Sequence, residues 1–476
     1  MRSCNNFGGE IMVKVLDFER VGEQILKIAE RQKADEAEAY LVSNKVLTVR
    51  LVNNSVFEAK GVHDIGVGIR VLRGGGLGFS STADFKPESL KKATKAALNA
   101  SKARKLPFKY SFPSPAEPPE VRGVYDTKLA KLPSDKAVDL AYQMVEESLA
   151  YNRKISDNAG VFNLVVYHTL VTNSHGLKAK DAGTFFEASL TATAQPGARS
   201  SEGAEATAGR SLKELKPREI GRKAAEMAVS GLEAQPLKED TYPIILDPEP
   251  SASINGYVSF LCSPMIAKLY YPLFLNKLGK KVGSEELTVV DDPLMPMGIG
   301  SASIDEEGTP SQKITMMKKG VLNNFVYDTF YGAMEKKHPT ASGARTAFAV
   351  GVSSFPGKNY NGEPIPTPRN PYIVPGDWNR EEIIENTKNG LLVKRFHYTR
   401  LTNPTRGDFT SVLRMGLYSV KKGEVAGALK KSRLIDNFLD ILRNVDAVSD
   451  TLTVAGAWGG YAHTPTIRTK AHIAPV

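Results

Sequence analysis

The sequence predicts an α+β fold whose N-terminal half is built of helix–strands–helix units and whose C-terminal half is one large, mainly antiparallel β domain. Three observations predict it. Up to about residue 236 the apolar spacing passes from every third or fourth residue to every second and back again, and it does so twice. From Thr241 onward short strand-like runs dominate, separated by turn pairs such as Lys319-Gly320 and Lys422-Gly423. At 476 residues the chain also exceeds what one compact core holds, so two or three domains are expected.

Residues 1–12 read as a loose leader without the charged-then-apolar layout of a signal peptide, and Met12 is a candidate start. An α+β unit is expected over 13–110. Asp17 is placed to cap a helix whose Phe18, Val21, Ile25 and Ile28 form one stripe. Val46–Val52 and Ile65–Leu72 follow as strands joined across Asn53-Asn54. In the second strand Ile65, Val67, Ile69 and Val71 line one face, while Gly66 and Gly68 leave the other bare for a close neighbour. Gly74-Gly75-Gly76 with Gly78 lacks the Lys-Ser/Thr of a phosphate loop and reads as a turn. A helix from Pro87 to about Lys105 closes the unit.

Residues 111–133 form a proline-rich crossing, and a second α+β unit is expected over 134–236. Ser134 is placed to cap a helix Asp135–Tyr151 with Ala137, Ala141, Met144 and Leu149 inward. Strands Val161–Val171 and Thr184–Ala194 follow, then a helix from Pro217 to Gly231. The echo of NNSVFEAKG (53–61) in NSHGLKAKDAG (173–183) points to a duplicated unit. The third part, 237–476, holds expected strands at Thr288–Val290, Lys313–Met317, Phe325–Asp328, Ser411–Val420 and Asp450–Val454, crossed by a helix Ile435–Arg443. A large antiparallel sheet or a barrel-like closure would both fit this pattern. In YPIILDPEPSASINGYVSFL (242–261), a short apolar run breaks at Asp247-Pro248-Glu249-Pro250 and leads into a helix with Ile254, Tyr257 and Val258 or Leu261 on one side.

Apolar residues make up 41% and charged residues 24%, the composition of a globular chain, and no uninterrupted apolar run approaches a membrane span. Two cysteines, Cys4 and Cys262, cannot build a disulfide framework, which fits a reducing cytoplasm. The net charge of +10 keeps a nucleic-acid or anionic-peptide partner in play. The densest basic run, Lys91–Lys109, carries alanines at helical spacing and reads as a solvated helix face.

Seven stretches in order carry a resemblance. They are GVGIRVLRGGGLGFSSTADF (66–85), TNSHGL (172–177), LDPEPSASI (246–254), DEEGTPSQKITMMKKGVLNNFVYD (305–328), TPRNPYIVPG (367–376), RGDFTSVLRMGLYSVKKGEV (406–425) and AGAWGG (455–460). The chain resembles the TldD/PmbA (TldE) family of metallopeptidase-related proteins, once called modulators of DNA gyrase. The resemblance implies a metallopeptidase-like C-terminal domain. In the TldD branch, the helix after the LDPE-like segment carries His-Glu-x-x-x-His, and a later cysteine completes a zinc site. Zinc held by imidazoles and thiolate lowers the pKa of its water, whose proton the glutamate takes. In this sequence those positions fall at Gly256, Tyr257, Leu261 and Trp458.

The resemblance therefore implies the PmbA/TldE branch: a non-catalytic subunit with no cofactor of its own. Its expected partner is a zinc-bearing TldD-type subunit, or a second copy of itself, and its expected substrates are unfolded or small peptides. Arg369, Asn370, His397 and Tyr398 are the candidates for lining the substrate cleft. Two alternatives remain open at this point. A peptidase active on its own would draw on Cys262, His397 or His463, with His472 near the last. A gyrase-associated nucleic-acid-binding modulator would draw on the basic charge. Ser253 and Ser259 lack nucleophile-elbow glycines and read as surface or capping residues.

Overall fold

The computed structural model describes residues 17–345, 357–457 and 460–476. The leader, Met12, Cys4 and Trp458 therefore lie outside the described residues. The fold is α+β. A six-stranded antiparallel sheet runs in the order Gly76–Thr82, Ser55–Arg73, Glu36–Val52, Ile155–Asn173, Lys178–Ala194, Ser201–Gly209. The strands of both N-terminal units thus share one sheet, joined where Glu36–Val52 pairs with Ile155–Asn173. On each side of that seam the chain repeats helix, three strands, helix: Phe18–Arg31 and Pro87–Ala103 flank the first set, Ser134–Tyr151 and Pro217–Gly231 the second.

Sequence and local structure agree where the signal is periodic. Asp17 caps the first helix by accepting the Arg20 amide at 3.1 Å, and Val21, Ile25 and Ala29 face the core. The Pro87–Ala103 helix buries Leu90, Ala93, Ala97 and Leu98 while Lys91, Lys92 and Lys95 stay in solvent. The strands are longer than the apolar alternation shows, because antiparallel pairing continues through polar residues. Ser201–Gly209 is a strand whose only alternating apolar residues are Ala204, Ala206 and Ala208. In the second helical pair Ser134 is the first helical residue rather than the cap, Pro133 holding that position. Leu149 is 37% exposed, and Val145 and Ser148 face inward instead. The bare glycine face of the second strand is filled from far away: a Cβ at Gly66 would sit 2.2 Å from the Tyr360 ring.

The C-terminal half holds an open nine-stranded sheet, with a separate four-stranded sheet formed by Val321–Leu322, Ile314–Lys318, Val289–Asp291 and Pro371–Ile373, rather than a barrel. The order of the larger sheet is His397–Asn403, Asp408–Leu413, Ser432–Asn437, Ile467–Pro475, Asp240–Leu246, Asn389–Val393, Leu417–Lys421, Glu424–Ala428, with Ala447–Val448 beside Ile467–Pro475. Only Asn389–Val393 and Asp240–Leu246 pair in parallel. Three expectations are corrected. Phe325–Asp328 is not a strand: it is buried irregular chain whose Asp328 accepts the Tyr331 amide at 2.7 Å and caps a helix Thr329–Glu335. The run Ser411–Val420 is two strands, because Gly416 at φ +66° turns the chain between them. Ile435 belongs to the strand Ser432–Asn437, and Asn437 caps the helix Phe438–Arg443.

The largest core lies under the Pro248–Leu261 helix, where Ile254, Tyr257, Val258 and Leu261 meet Phe409, Leu434 and Phe438. No helix among the described residues is long and apolar enough to cross a membrane.

Candidate functional site

The central helix is positioned by its first turn. The strand Asp240–Leu246 ends at Asp247, whose carboxylate receives a two-pronged Arg380 guanidinium, Nε to Oδ1 at 2.7 Å and Nη2 to Oδ2 at 2.8 Å. Pro248 then starts the helix at the position where a missing N–H costs nothing. Along its length Ser251 Oγ meets Thr464 Oγ1 at 3.0 Å, and Asn255 Nδ2 donates to the Pro371 carbonyl at 2.9 Å. Ser253 and Ser259 are buried, not surface residues, because this helix is enclosed on nearly all sides; Ser259 Oγ donates back to the Asn255 carbonyl.

Tyr257 stands edge-on to Phe409 at 5.5 Å and tilted against Phe438 at 5.8 Å, and its hydroxyl donates to the Thr399 carbonyl at 2.9 Å. Burial raises its phenol pKa, with Tyr271 adding to the shift. Leu261 is fully buried among apolar neighbours. These side chains do not fit a zinc ion. Gly256 and Leu261 have no donor atom, and the Tyr257 oxygen is engaged inside the core. Among the described residues no group of three or more His, Cys, Asp or Glu side chains is arranged to hold a metal.

The sequence-derived cleft residues divide into two pairs. His397 and Tyr398 line a cavity of about 350 Å³ with Glu249, Ser253, Phe396, Thr399 and Arg400. Their rings touch at 4.3 Å, and Tyr398 is 75% exposed. Burial lowers the His397 pKa, and Arg414 and Arg395 add to the effect. Arg369 and Asn370 do not join them. Arg369 Nη1 donates to the Ile304 carbonyl at 2.6 Å and to Ser311 Oγ at 3.0 Å, while the Asn370 amide donates to Asp291 at 2.7 Å. Both fasten their own loop.

Nor do the residues of an independent hydrolase converge. Cys262 is buried in the core, which raises its thiol pKa. His463 sits in the hairpin Thr453–Ala457/Gly460–Thr464 with a buried Nε2 that has no hydrogen-bond partner among the described residues, and burial lowers its pKa. His472 bonds Glu239 near the surface at 3.1 Å.

Sequence reasoning missed Glu249. It stood in plain view as the third residue of Asp-Pro-Glu-Pro, read there only as part of a break. Its Oε2 accepts the Phe396 amide at 2.7 Å, and burial pushes the carboxyl up to about 7 against the opposing pull of Arg395. Glu205, on the edge strand of the other sheet, adds to that upward shift and is itself raised by burial.

Comparison with known proteins agrees with this architecture. Three family models match in sequence: PmbA/TldA metallopeptidase domain 1 over residues 37–101, the PmbA/TldA metallopeptidase central domain over 127–232, and the PmbA/TldA metallopeptidase C-terminal domain over 239–474. The chain belongs to the PmbA/TldD family. A metalloprotease of Methanocaldococcus jannaschii is 24% identical over 94% of this chain and 95% of its own length. The PmbA metalloprotease of Escherichia coli O157:H7 is 22% identical over 63% of this chain and 67% of its own. Among solved structures, TldE from Thermococcus kodakarensis superposes with a TM-score of 0.82 at 21% identity, covering 95% of this chain and all of that one. At that identity the likeness speaks for the fold.

Proposed function

We propose that this chain is a TldE-like, non-hydrolytic subunit of the family. It would assemble with a zinc-bearing TldD-type partner and help to hold peptides for cleavage or maturation in the cytoplasm. The observation that carries this reading is Tyr257. A residue in the position where the family resemblance places the general base is locked into an aromatic cluster, with its hydroxyl spent on Thr399. Leu261 beside it offers only methyl groups to the core. A hydrolytic water needs a Lewis acid and a proton acceptor together, and these side chains supply neither. The buried, protonated Cys262 removes the thiolate that an independent peptidase would need.

The test is to purify the full chain alone and again after mixing with a TldD-type subunit, measuring zinc per polypeptide and hydrolysis of an unstructured peptide. The expected result is less than about a tenth of an equivalent of zinc and no chelator-sensitive hydrolysis for the chain alone. A stable complex with the partner should alter the partner's cleavage. Stoichiometric zinc with chelator-sensitive hydrolysis by this chain alone would overturn the proposal.

A further inference from the structure

Ser201–Gly209 is the outer strand of the N-terminal sheet: among the described residues one of its edges has no ladder partner, although the strand Thr453–Ala457 packs against it. That edge faces the C-terminal domain. Arg395 Nη1 donates to the Ala204 carbonyl at 3.3 Å, and Arg414 pairs with Glu202. Between the two sheets lies a cavity of about 660 Å³, whose walls include Arg199, Glu202, Arg414, Lys430 and Lys431. The cavity holding His397, Tyr398 and Arg400 lies close by, since Arg414, Arg395 and Lys431 all act on the His397 imidazole.

In the walls of these two cavities Arg199 and Arg414 each hold a carboxylate, Glu233 and Glu202, whereas Lys430, Lys431 and Arg400 make no ion pair among the described residues. The acids in these walls do not offset them: Glu202 and Glu233 are already engaged by those arginines, and burial pushes the Glu249 carboxyl up to about 7. At the mouth Tyr398 holds a left-handed backbone, φ +50°, while 75% exposed. Such strain in a bulky residue gathers at ligand clamps.

We propose that the groove between the edge strand Ser201–Gly209 and the segments 394–400 and 428–433 binds an acidic, extended polypeptide segment. Its carboxylates are received by Lys430, Lys431 and Arg400, and its backbone passes beside Tyr398. The inference names a substrate class for the peptide-holding role proposed above and rests on that reading. Arg395 already occupies the Ala204 carbonyl, so side-chain charge contributes more here than full strand pairing does. A nucleic acid fits less well. Its phosphates repeat without a break, whereas the free cations are only Lys430, Lys431 and Arg400, since Arg199 and Arg414 are taken by Glu233 and Glu202; a peptide places charge only where its side chains do.

The test uses the full chain without any peptidase partner, so that a missing complex and a missing groove give different results. A fluorescent decapeptide of alternating Glu and Ala is titrated by anisotropy against its Lys-Ala counterpart and a ten-nucleotide oligothymidine. The Glu-Ala peptide is expected to bind in a salt-sensitive way and the Lys-Ala peptide not to bind. The double variant Lys430→Glu/Lys431→Glu should weaken binding at least about tenfold, and Arg400→Glu at least about threefold. Lys91→Glu/Lys92→Glu, which removes the same charge from the exposed helix Pro87–Ala103, should change it less than about twofold. Three results would overturn the proposal: no binding of the acidic peptide, equal losses in the two double variants, or oligothymidine binding more tightly through the same lysines.

Discussion

Replacing Glu38 with alanine tests how the two halves of this chain are held together. Glu38 lies on the first strand, is fully buried, and receives two guanidinium groups. Arg70 donates Nε to Oε1 at 2.9 Å and Nη2 to Oε2 at 2.6 Å, and Arg345, from the C-terminal half, donates to Oε1. Arg70 also reaches Glu307 at 2.9 Å, whose carboxylate accepts the Thr329 amide at 2.7 Å. Truncation therefore leaves Arg345 in the interior without a carboxylate on its guanidinium and strips Arg70 of one of its two. Removing one partner of a buried pair costs about 3–5 kcal/mol, because the remaining charge has been taken out of water. In a cooperative unit of about 150–250 residues, a loss of about 4 kcal/mol lowers Tm by roughly 8–16 °C. Arg50 with Glu58, side chains 55% and 40% exposed at 3.9 Å, is the control, and Arg50→Ala should cost less than about 1 kcal/mol. Differential scanning calorimetry of both variants, and of Glu38→Ala combined with Arg345→Ala, provides the assay. The second substitution should cost much less after the first than by itself. Equal shifts for Glu38→Ala and Arg50→Ala, or a strictly additive double variant, would refute the reasoning.

Two further outcomes follow from the central helix. Tyr257→Ala should cost about 3–5 kcal/mol by urea denaturation, as expected for a large buried ring, whereas Tyr257→Phe should cost about 1 kcal/mol for the lost bond to Thr399; a cost below about 1 kcal/mol for the alanine variant would remove Tyr257 from the core. Glu249 gives a pH signature. Burial pushes its carboxyl up to about 7 from an ordinary value of 4.5, so the folded state retains a proton that the unfolded state has released. Its contribution to stability is thus complete below about 4.5 and falls as pH rises toward 7. Glu249→Gln should stabilise the protein at pH 8 and leave it nearly unchanged at pH 4, measured by calorimetry; the opposite order would reverse the assignment.

Legibility followed the range of the signal. Asp17 and the stripe behind it, the proline-started helices at Pro87 and Pro217, and the glycine turn at Gly74-Gly75 are local properties, and all appear where the residues place them, whereas the central helix begins at Pro248, inside the stretch read as a break before it. The strand Ser201–Gly209 was missed because its only alternating apolar residues, Ala204, Ala206 and Ala208, carry little strand preference; it exists because Lys178–Ala194 lies ready to pair with it. Phe325–Asp328 misled for the converse reason, since a run of buried apolar residues looks like a strand whether or not a neighbour supplies a ladder. In the candidate site, His397 and Tyr398 were found through the family likeness. Arg369 and Asn370 came with them yet serve their own loop.

By itself, then, the sequence determined the order of elements, the α+β class, the family and the residues at the positions 256, 257 and 261. Those depend on spacing within a turn or a strand, or on a motif read along the chain. Only the tertiary structure decided that Glu38 meets Arg345, 307 residues away, and that Glu249 lies near Glu205. It also decided that Lys430, Lys431 and Arg400 line neighbouring cavities. The reason is physical: a charge has its energy from its distance to other charges and to water, and neither distance is written in the order of the residues.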